Sequence, residues 1–500
     1  SCVFICVYLR VNSDLCYKVK FKQIVLIITS AFLAAGGFYY LDILNLISLV
    51  PFFYVLAGND SKKNRFLLGY LWGLVFFILL CYWLIYVTAA GFLILVFYLA
   101  LYPAVFSVLA GNRIRLSNPF YTASVWVLLE GLRSFLFTGF PWGHLGYPFY
   151  SRLSFIQIAD IFGVYGVSFL VVLFNGVVFF MAYSKSKRYK LLNLTAVLFV
   201  FSAALLYGKY RLRYDFSEQE VKNIALVQTN VDSDIKWDTG HYQDNLERIR
   251  LLVLRAEEMG SDLTILPEAV LPFAWNEDND MMEELASIAS ISRTSLVVGI
   301  PYYDKGNLYN ASVFLDEHGS LKERSFKNHL VPFGEYLPFK RAFSFLAKIY
   351  PAGHYSAADD IRIFEYKGFR FAVLICYEDI FPYLARMAAL KGACFFINQS
   401  DEGWFKKSRE IYLHNQIAVF RAVENRRSLI RATNTGLSCL IDYRGAVIRQ
   451  LEPFKADILI VDVPICKELS FYSRYGLLPL VAVLSILVLL SFVRSKERNS

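Results

Sequence analysis

Two stretches of this chain, residues 1–210 and 475–493, are dominated by long runs without charge. A run of ~20 apolar residues matches the hydrocarbon thickness of a bilayer, where a helix satisfies its own backbone. Eight spans are expected, at about 23–40, 42–58, 66–87, 91–110, 120–138, 155–183, 191–208 and 475–493. The second is short, and the sixth is long enough to tilt or protrude. Residues 215–470 have ordinary globular composition. The 56% hydrophobic and 17% aromatic content therefore divides into a membrane bundle and one soluble domain. The expected organisation is a stretch 1–20, a seven-helix bundle at 21–210, a domain at 215–470 and a last transmembrane helix at 475–493.

Lys and Arg favour cytoplasmic loops. Arg10, Lys18, Lys20 and Lys22 precede the first span; Lys62, Lys63 and Arg65 follow the second, and Arg113 and Arg115 the fourth. Lys185, Lys187, Arg188 and Lys190 follow the sixth, and Arg494, Lys496 and Arg498 the eighth. The alternate loops are nearly free of such residues, Arg152 apart. Both termini are thus expected in the cytoplasm and the globular domain outside it. Lys209, Arg211 and Arg213 run against this locally, but long translocated domains are largely exempt from the rule. Val3–Leu9 is too short and wrongly flanked for a cleavable signal. The eight cysteines contain no CxxC pair and no regular spacing, so neither a disulfide framework nor a zinc site is expected.

From residue 223 the periodicity changes. Strand-like runs stand at 223–230, 263–270, 295–303, 310–315, 370–379, 394–400, 428–436 and 458–464, with helical stretches at 241–259, 281–291, 380–391 and 407–425. Near-continuous apolar strands between helices indicate an α/β sheet covered by helices. Several strands end in polar residues, among them Gln228, Asn230, Glu268, Cys376, Glu378, Asn398, Ser400, Thr433 and Asn434. In α/β sheets the carboxyl ends of strands are where ligands bind.

A thiol nucleophile needs a proton acceptor, an electropositive neighbour and a stabiliser for a carbonyl oxygen. None of the six histidines falls at a strand end; only His329 sits in a distinctive stretch, which leaves a Cys-His plan open. Glu268, Lys327 and Glu335 are better placed. A carboxylate emerging from a buried sheet beside a lysine can serve as general base, and the lysine counters both thiolate and oxyanion.

The motifs PEAVLPF (267–273), KNHLVPFGEYLPF (327–339), ICYED (375–379) and RAVENRRSLIRATNTGLSCLID (421–442) together resemble the nitrilase superfamily. With the apolar spans and EGLRSFLFTGFPWGHLGY (130–147), the chain resembles that superfamily's membrane-embedded branch, which acylates bacterial lipoproteins. The resemblance implies an αββα sandwich on eight transmembrane helices. It implies a catalytic triad of Glu268 (base), Lys327 (oxyanion stabiliser) and Cys376 (nucleophile). Glu335, Glu378 and Tyr377 would support it, and Trp237 and Trp404 would line the acyl-binding cleft. The implied reaction is ping-pong: a fatty acyl chain passes from a phospholipid, as in the family phosphatidylethanolamine, to Cys376 as a thioester. It then passes to the α-amino group of an apolipoprotein's diacylglyceryl-cysteine. No metal or organic cofactor and no nucleic acid enters. A monomer in the bacterial inner membrane, its catalytic domain periplasmic, is implied.

Blander readings stand beside these. The same residues would suit a membrane-tethered amidase hydrolysing a small amide, or a scaffold with a relic domain. Glu335 either caps a turn or supports the site, and Glu378 either joins an ion pair or supports it. Trp237 and Trp404 are either cleft residues or ordinary aromatics. Glu130 and Arg133, one turn apart in an apolar span, form either an internal pair or a functional one. Residues 341–355 are a packed loop or a lid. Cys394 and Cys439 are expected in the core.

Overall fold

The computed structural model describes residues 21–115, 118–213, 219–275, 281–337 and 354–497. The stretch 1–20 and the lid candidate, as far as residue 353, lie outside these. The bundle comprises α1 (Phe21–Tyr39), α2 (Val50–Ala57), α3 (Lys62–Cys81), α4 (Ala89–Leu99), α5 (Leu101–Arg115), α6 (Pro119–Arg133), α7 (Leu153–Ile156), α8 (Ala159–Phe162), α9 (Val164–Tyr183) and α10 (Lys187–Arg213). Among the described residues five helical stretches are long and apolar enough to cross a bilayer: Phe21–Tyr39, Lys62–Tyr86, Ala89–Gly111, Val164–Tyr183 and Lys187–Arg213. Asp42–Ala57, Leu153–Phe162 and Leu478–Leu489 are shorter.

Three expected spans differ from the sequence reading, each for a local reason. The second begins as a 3-10 turn, Asp42–Leu46, before α2. Asn175 replaces the missing helical bonds there, donating to Asn45 O at 2.7 Å and accepting from Leu49 N–H at 2.8 Å. The fifth stops at Arg133. Glu130 and Arg133 face each other across His144 Nδ1, which lies 3.5 Å from Glu130 Oε2 and 3.2 Å from Arg133 Nη2, and both hold the buried loop that follows. Glu130 Oε1 accepts from Leu145 N–H at 3.0 Å, and Arg133 donates to the carbonyl oxygens of Phe140, at 3.3 Å, and Trp142. The sixth is not one helix over 155–183. Gly163 (φ 64°) takes the left-handed conformation that glycine adopts at little cost, and α9 restarts after it. Glu424 of the globular domain accepts from Val164 N–H there, at 2.9 Å.

The domain is built on two six-stranded sheets. Its strands are β1 (Gln219–Gln228), β2 (Leu263–Ile265), β3 (Ser295–Asp304), β4 (Asn307–Leu315), β5 (Leu321–Phe326), β6 (Phe364–Tyr366), β7 (Phe369–Ile375), β8 (Phe395–Ser400), β9 (Ser428–Thr433), β10 (Cys439–Ile441), β11 (Val447–Gln450) and β12 (Asp457–Ile465). The orders are β12-β1-β2-β3-β4-β5 and β11-β10-β9-β8-β7-β6. Alternation decides the layers. Ile224 and Leu226 meet Val373, Ile375 and Ile397 between the sheets. Ala225 and Val227 face outward against α11 (Tyr242–Glu258) and α12 (Met281–Ser292). On the far side, Ala372, Leu374 and Phe396 pack on α13 (Pro382–Leu390) and α14 (Glu410–Asn425), whose core is continuous with the bundle. The result is an αββα sandwich with one helical layer seated on the membrane helices. The seat is polar as well. Arg426 pairs with Asp160 at 2.5 Å and donates to Gln157 Oε1 at 2.8 Å. The C-terminal helix α15 (Leu478–Glu497) returns to the bundle.

One glycine fixes how closely the turn after β2 lies on β3. A Cβ on Gly299 would stand 2.4 Å from Pro267 O and 2.6 Å from Glu268 Cα. Gly299→Ala is therefore expected to cost about 1–3 kcal/mol and to displace Glu268. A lowered thermal midpoint together with reduced activity in the purified variant checks this.

Candidate active site

Cys376 follows β7 directly, at φ 50°, and opens a 3-10 turn, Cys376–Ile380. A non-glycine residue in that region costs about 1–3 kcal/mol and marks a position held by its surroundings. The holding groups come from β8, where alternate side chains point to opposite faces. Asn398 donates to the carbonyl oxygens of Leu374 (2.9 Å) and Cys376 (3.0 Å). Ser400 Oγ donates to the Cys376 sulfur at 3.4 Å. Gln399, between them, donates across the sandwich to Leu266 O at 2.7 Å, just after β2 and ahead of Glu268, and to Val297 O at 3.1 Å on β3, the strand of Gly299. β8 thus ties the thiol turn to the acid turn.

Glu268 lies in the turn after β2, beside Ala269 at φ 47°. Its Oε2 accepts from Asp401 N–H at 3.0 Å, and its Oε1 from Asn310 Nδ2 at 2.7 Å and Lys327 Nζ at 3.4 Å. Lys327 follows β5 and is 1% exposed. Its ammonium also meets Glu335 Oε1 at 2.9 Å. Burial works to lower the lysine pKa, but Glu335 and Glu268 outweigh it and hold it well above the usual value. The thiol behaves oppositely. Burial and the Glu268 charge push it well above the usual cysteine value, while Lys327 and Ser400 pull it down. At rest the site therefore holds a neutral thiol beside a charged lysine and two acids, Glu268 and Glu335.

The structure brings Glu268, Lys327 and Glu335 into one hydrogen-bonded cluster and sets Cys376 within the field of the first two. Glu335 fits both readings, since its Oε2 also accepts from Val331 N–H at 2.7 Å. Glu378 makes no ion pair among the described residues. It accepts from the N–H groups of Asn328 (2.6 Å), His329 (3.1 Å) and Ile375 (2.8 Å), clamping the lysine loop to the thiol turn. Burial pushes its pKa up to about 7, against those three bonds. Tyr377 packs on Phe381, ring centroids 5.0 Å apart. His329 bonds to Tyr383 OH at 2.9 Å, and its ring centroid lies 3.8 Å from that of Phe381. Trp237 and Trp404 are 36% and 50% exposed. Each sits on a segment that grips Glu268: Lys236 Nζ donates to Glu268 O at 3.0 Å, and Asp401 N–H to its carboxylate. Cys439 is buried as expected, whereas Cys394 is only partly so.

Asn310 was not singled out by sequence. Its Nδ2 bridges Glu268 Oε1 and Glu335 Oε1, at 2.7 and 2.8 Å. Its one signal is a polar residue at the head of the apolar run NASVFL, inside β4. Removing a buried donor from two carboxylates costs about 1–3 kcal/mol. Asn310→Ala is thus expected to lose activity at least about tenfold, measured as initial acyl-transfer rate at matched folded fraction.

Beneath the site lies a second buried cluster. His414 Nε2 bonds to Asp379 Oδ1 at 2.5 Å, and its Nδ1 lies 3.2 Å from Glu402 and 3.4 Å from Glu410. Arg431 pairs with Asp379 at 2.7 Å and Glu402 at 2.5 Å. Donor atoms of Glu402, Glu410 and His414 lie within 4.8 Å of one another, a spacing that suits a metal. Arg431 already occupies a Glu402 oxygen and Asp379 the second imidazole nitrogen, so charge balance comes from within. Burial opposes charge on His414, but Asp379 wins and its pKa is pushed up to about 9. Burial pushes Glu410 up to about 8. Both bind protons more tightly folded than unfolded. The His414 contribution to stability is complete below pH 6.5 and lost as pH rises through about 9; that of Glu410 fades from 4.5 to about 8. The thermal midpoint should fall between pH 6.5 and 9, and His414→Asn should flatten that slope.

Two back-to-back sheets with an acid, an amine and a thiol gathered at the strand ends, set on a helical bundle, define a membrane-borne protein of carbon–nitrogen hydrolase type. Residues 223–467 match the family model described as carbon-nitrogen hydrolase, and residues 29–177 the one described as apolipoprotein N-acyltransferase N-terminal domain. The chain is 35% identical to an apolipoprotein N-acyltransferase of Geobacter metallireducens, over 84% of this chain and 85% of the relative. It is 31% identical to that of Haemophilus influenzae, over 90% and 91%. The chain belongs to the apolipoprotein N-acyltransferase family. Among solved structures, an amidase from Nesterenkonia sp. aligns with 50% of this chain and 92% of its own, at 22% identity and a TM-score of 0.38.

Proposed function

We propose that the protein is a phospholipid:apolipoprotein N-acyltransferase working through a thioester on Cys376. The observation that carries this is a resting thiol within the field of Glu268 and of a lysine pinned between two carboxylates. Glu268 takes the thiol proton as the sulfur attacks an ester carbonyl of a phospholipid, probed first with phosphatidylethanolamine. Lys327 and a backbone N–H stabilise the tetrahedral oxyanion. The ester C–O bond breaks, Glu268 returns the proton to the departing alkoxide, and a lysophospholipid leaves. The α-amino group of a diacylglyceryl-cysteine then attacks the thioester. Its proton passes through Glu268, and the sulfur leaves as the amide forms.

Asn310 and Glu335 hold Lys327, and Glu378 holds the two loops together. Trp237 and Trp404, exposed on segments anchored to Glu268, are offered as acyl-chain contacts. The accompanying topology is eight spans, both termini cytoplasmic, a monomer in the inner membrane, and a periplasmic domain over residues 215–470. Lipid-anchored substrates explain the bundle, which holds the site near headgroup depth. Family membership favours this reading over hydrolysis of a small amide.

The test supplies phospholipid and a synthetic diacylglyceryl-cysteine peptide to the purified protein. An N-acylated peptide and lysophospholipid in equal amounts are expected. Free fatty acid or ammonia as the main product, with the peptide unchanged, would contradict the transfer.

A further inference from the structure

We infer that the protein carries, apart from the thiol site, a docking place for the headgroup of an anionic phospholipid. It lies where the end of α1, the loop 148–152 and the start of α14 meet around a cavity of about 700 Å³. Three cations line it, Arg152, Lys407 and Arg409, against one carboxylate, Asp42. Arg152 and Asp42 satisfy each other through two bonds, at 2.7 and 3.1 Å. The other two cations meet no carboxylate among the described residues. Arg409 donates to Tyr39 O at 2.8 Å and lies 4.9 Å over the Tyr40 ring. Lys407 Nζ stands 5.9 Å from the Phe454 ring. The cavity wall therefore keeps two unneutralised positive charges.

A second feature asks for a hydrogen-bond donor. Gln416 lines the cavity and is 6% exposed. Its Nε2 donates to Phe38 O at 2.9 Å, while its buried Oε1 has no partner. An unpaired buried amide oxygen is costly until an O–H or N–H reaches it.

Position selects a lipid over a soluble anion. Tyr39 ends an apolar helix of span length, and beyond it Leu41, Ile43 and Ile47 present apolar side chains outward, each about half exposed. The cavity thus sits where hydrocarbon-facing residues give way to charge, at headgroup depth. A phosphoglycerol headgroup answers all three features. Its phosphate meets Lys407 and Arg409, a hydroxyl donates to Gln416, and its chains run down past Ile43 and Ile47. A zwitterionic headgroup would return a positive charge to a wall already in excess. Cys376, Glu268 and Lys327 are not among the residues lining the cavity, and among the described residues no hydrogen bond or ion pair joins them to Lys407, Arg409 or Gln416, so the place is separate from that of the reacting ester. The inference rests on the bundle being membrane-embedded and not on the acyl-transfer reading.

The experiment titrates full-length protein in detergent with phosphatidylglycerol, phosphatidylcholine and free glycerol phosphate, following the thermal midpoint and bound lipid by native mass spectrometry. Phosphatidylglycerol is expected to bind ~10-fold more tightly than phosphatidylcholine. The preference should vanish in Lys407→Gln/Arg409→Gln and shrink in Lys407→Glu alone, a surface change that spares the Arg409–Tyr39 bond. Thioester formation on Cys376, read separately, should persist in both. Equal affinity for the two lipids, a preference unmoved by either variant, or free glycerol phosphate binding as well as the lipid would each overturn it.

Discussion

Lys327→Met is expected to damage both stability and turnover. The ammonium it removes lies 3.4 Å from Glu268 and 2.9 Å from Glu335, in a site where the lysine is 1% exposed. Two largely buried carboxylates would then share Asn310 as their remaining side-chain donor. Breaking a buried ion pair from one side costs about 3–5 kcal/mol, which would show as a large fall in the thermal midpoint. On the proposed mechanism, losing the positive charge that would oppose the oxyanion should lower kcat by a further ~10²–10³. The two effects separate experimentally, because kcat is measured on the fraction that remains folded. A folded Lys327→Met enzyme with undiminished kcat would show that the lysine only balances charge.

The second large effect is expected at Arg431→Met. Arg431 is fully buried and holds Asp379 at 2.7 Å and Glu402 at 2.5 Å. Without it two carboxylates would face only His414, again at about 3–5 kcal/mol. Asp379 belongs to the turn that starts at Cys376, and Glu402 follows Asp401, whose N–H holds Glu268. Residual activity should therefore fall in kcat rather than KM. Asp379→Asn in the same chain should recover part of the stability, since it removes one stranded charge. No recovery, with unchanged kcat in the folded fraction, would reduce the cluster to packing.

Much of the domain was legible. β1, β3, β8 and β9 carry near-continuous apolar runs, and α11 and α14 show helical periodicity between them, because a sheet covered on both faces must be apolar on both. β5 was missed because LKERSF reads as surface. It is an edge strand, where charge discourages pairing with another chain. β6 and β11 are short edges of the other sheet. Asn310 and Asp401 were hidden for a different reason. A polar residue within or just after a strand looks solvated until the partner strand is known, and their partners are 42 and 133 positions away. The bundle was less legible, since hydropathy measures length of greasiness and not continuity of helix. Asn175, Glu130 and Arg133 supply backbone partners that let α2 begin late and α6 end early, and no window average sees them. The tryptophans had no spacing to test and lie exposed beside the site.

Chemistry at the sulfur is the most direct test. Wild-type protein would be incubated with a phospholipid of one defined acyl chain and no acceptor, then digested, and the Cys376 peptide weighed. A mass gain equal to that acyl group, released by hydroxylamine and absent in Glu268→Gln, is the expected result. An unmodified Cys376 peptide from protein that goes on to acylate a lipopeptide at full rate would contradict the thioester route.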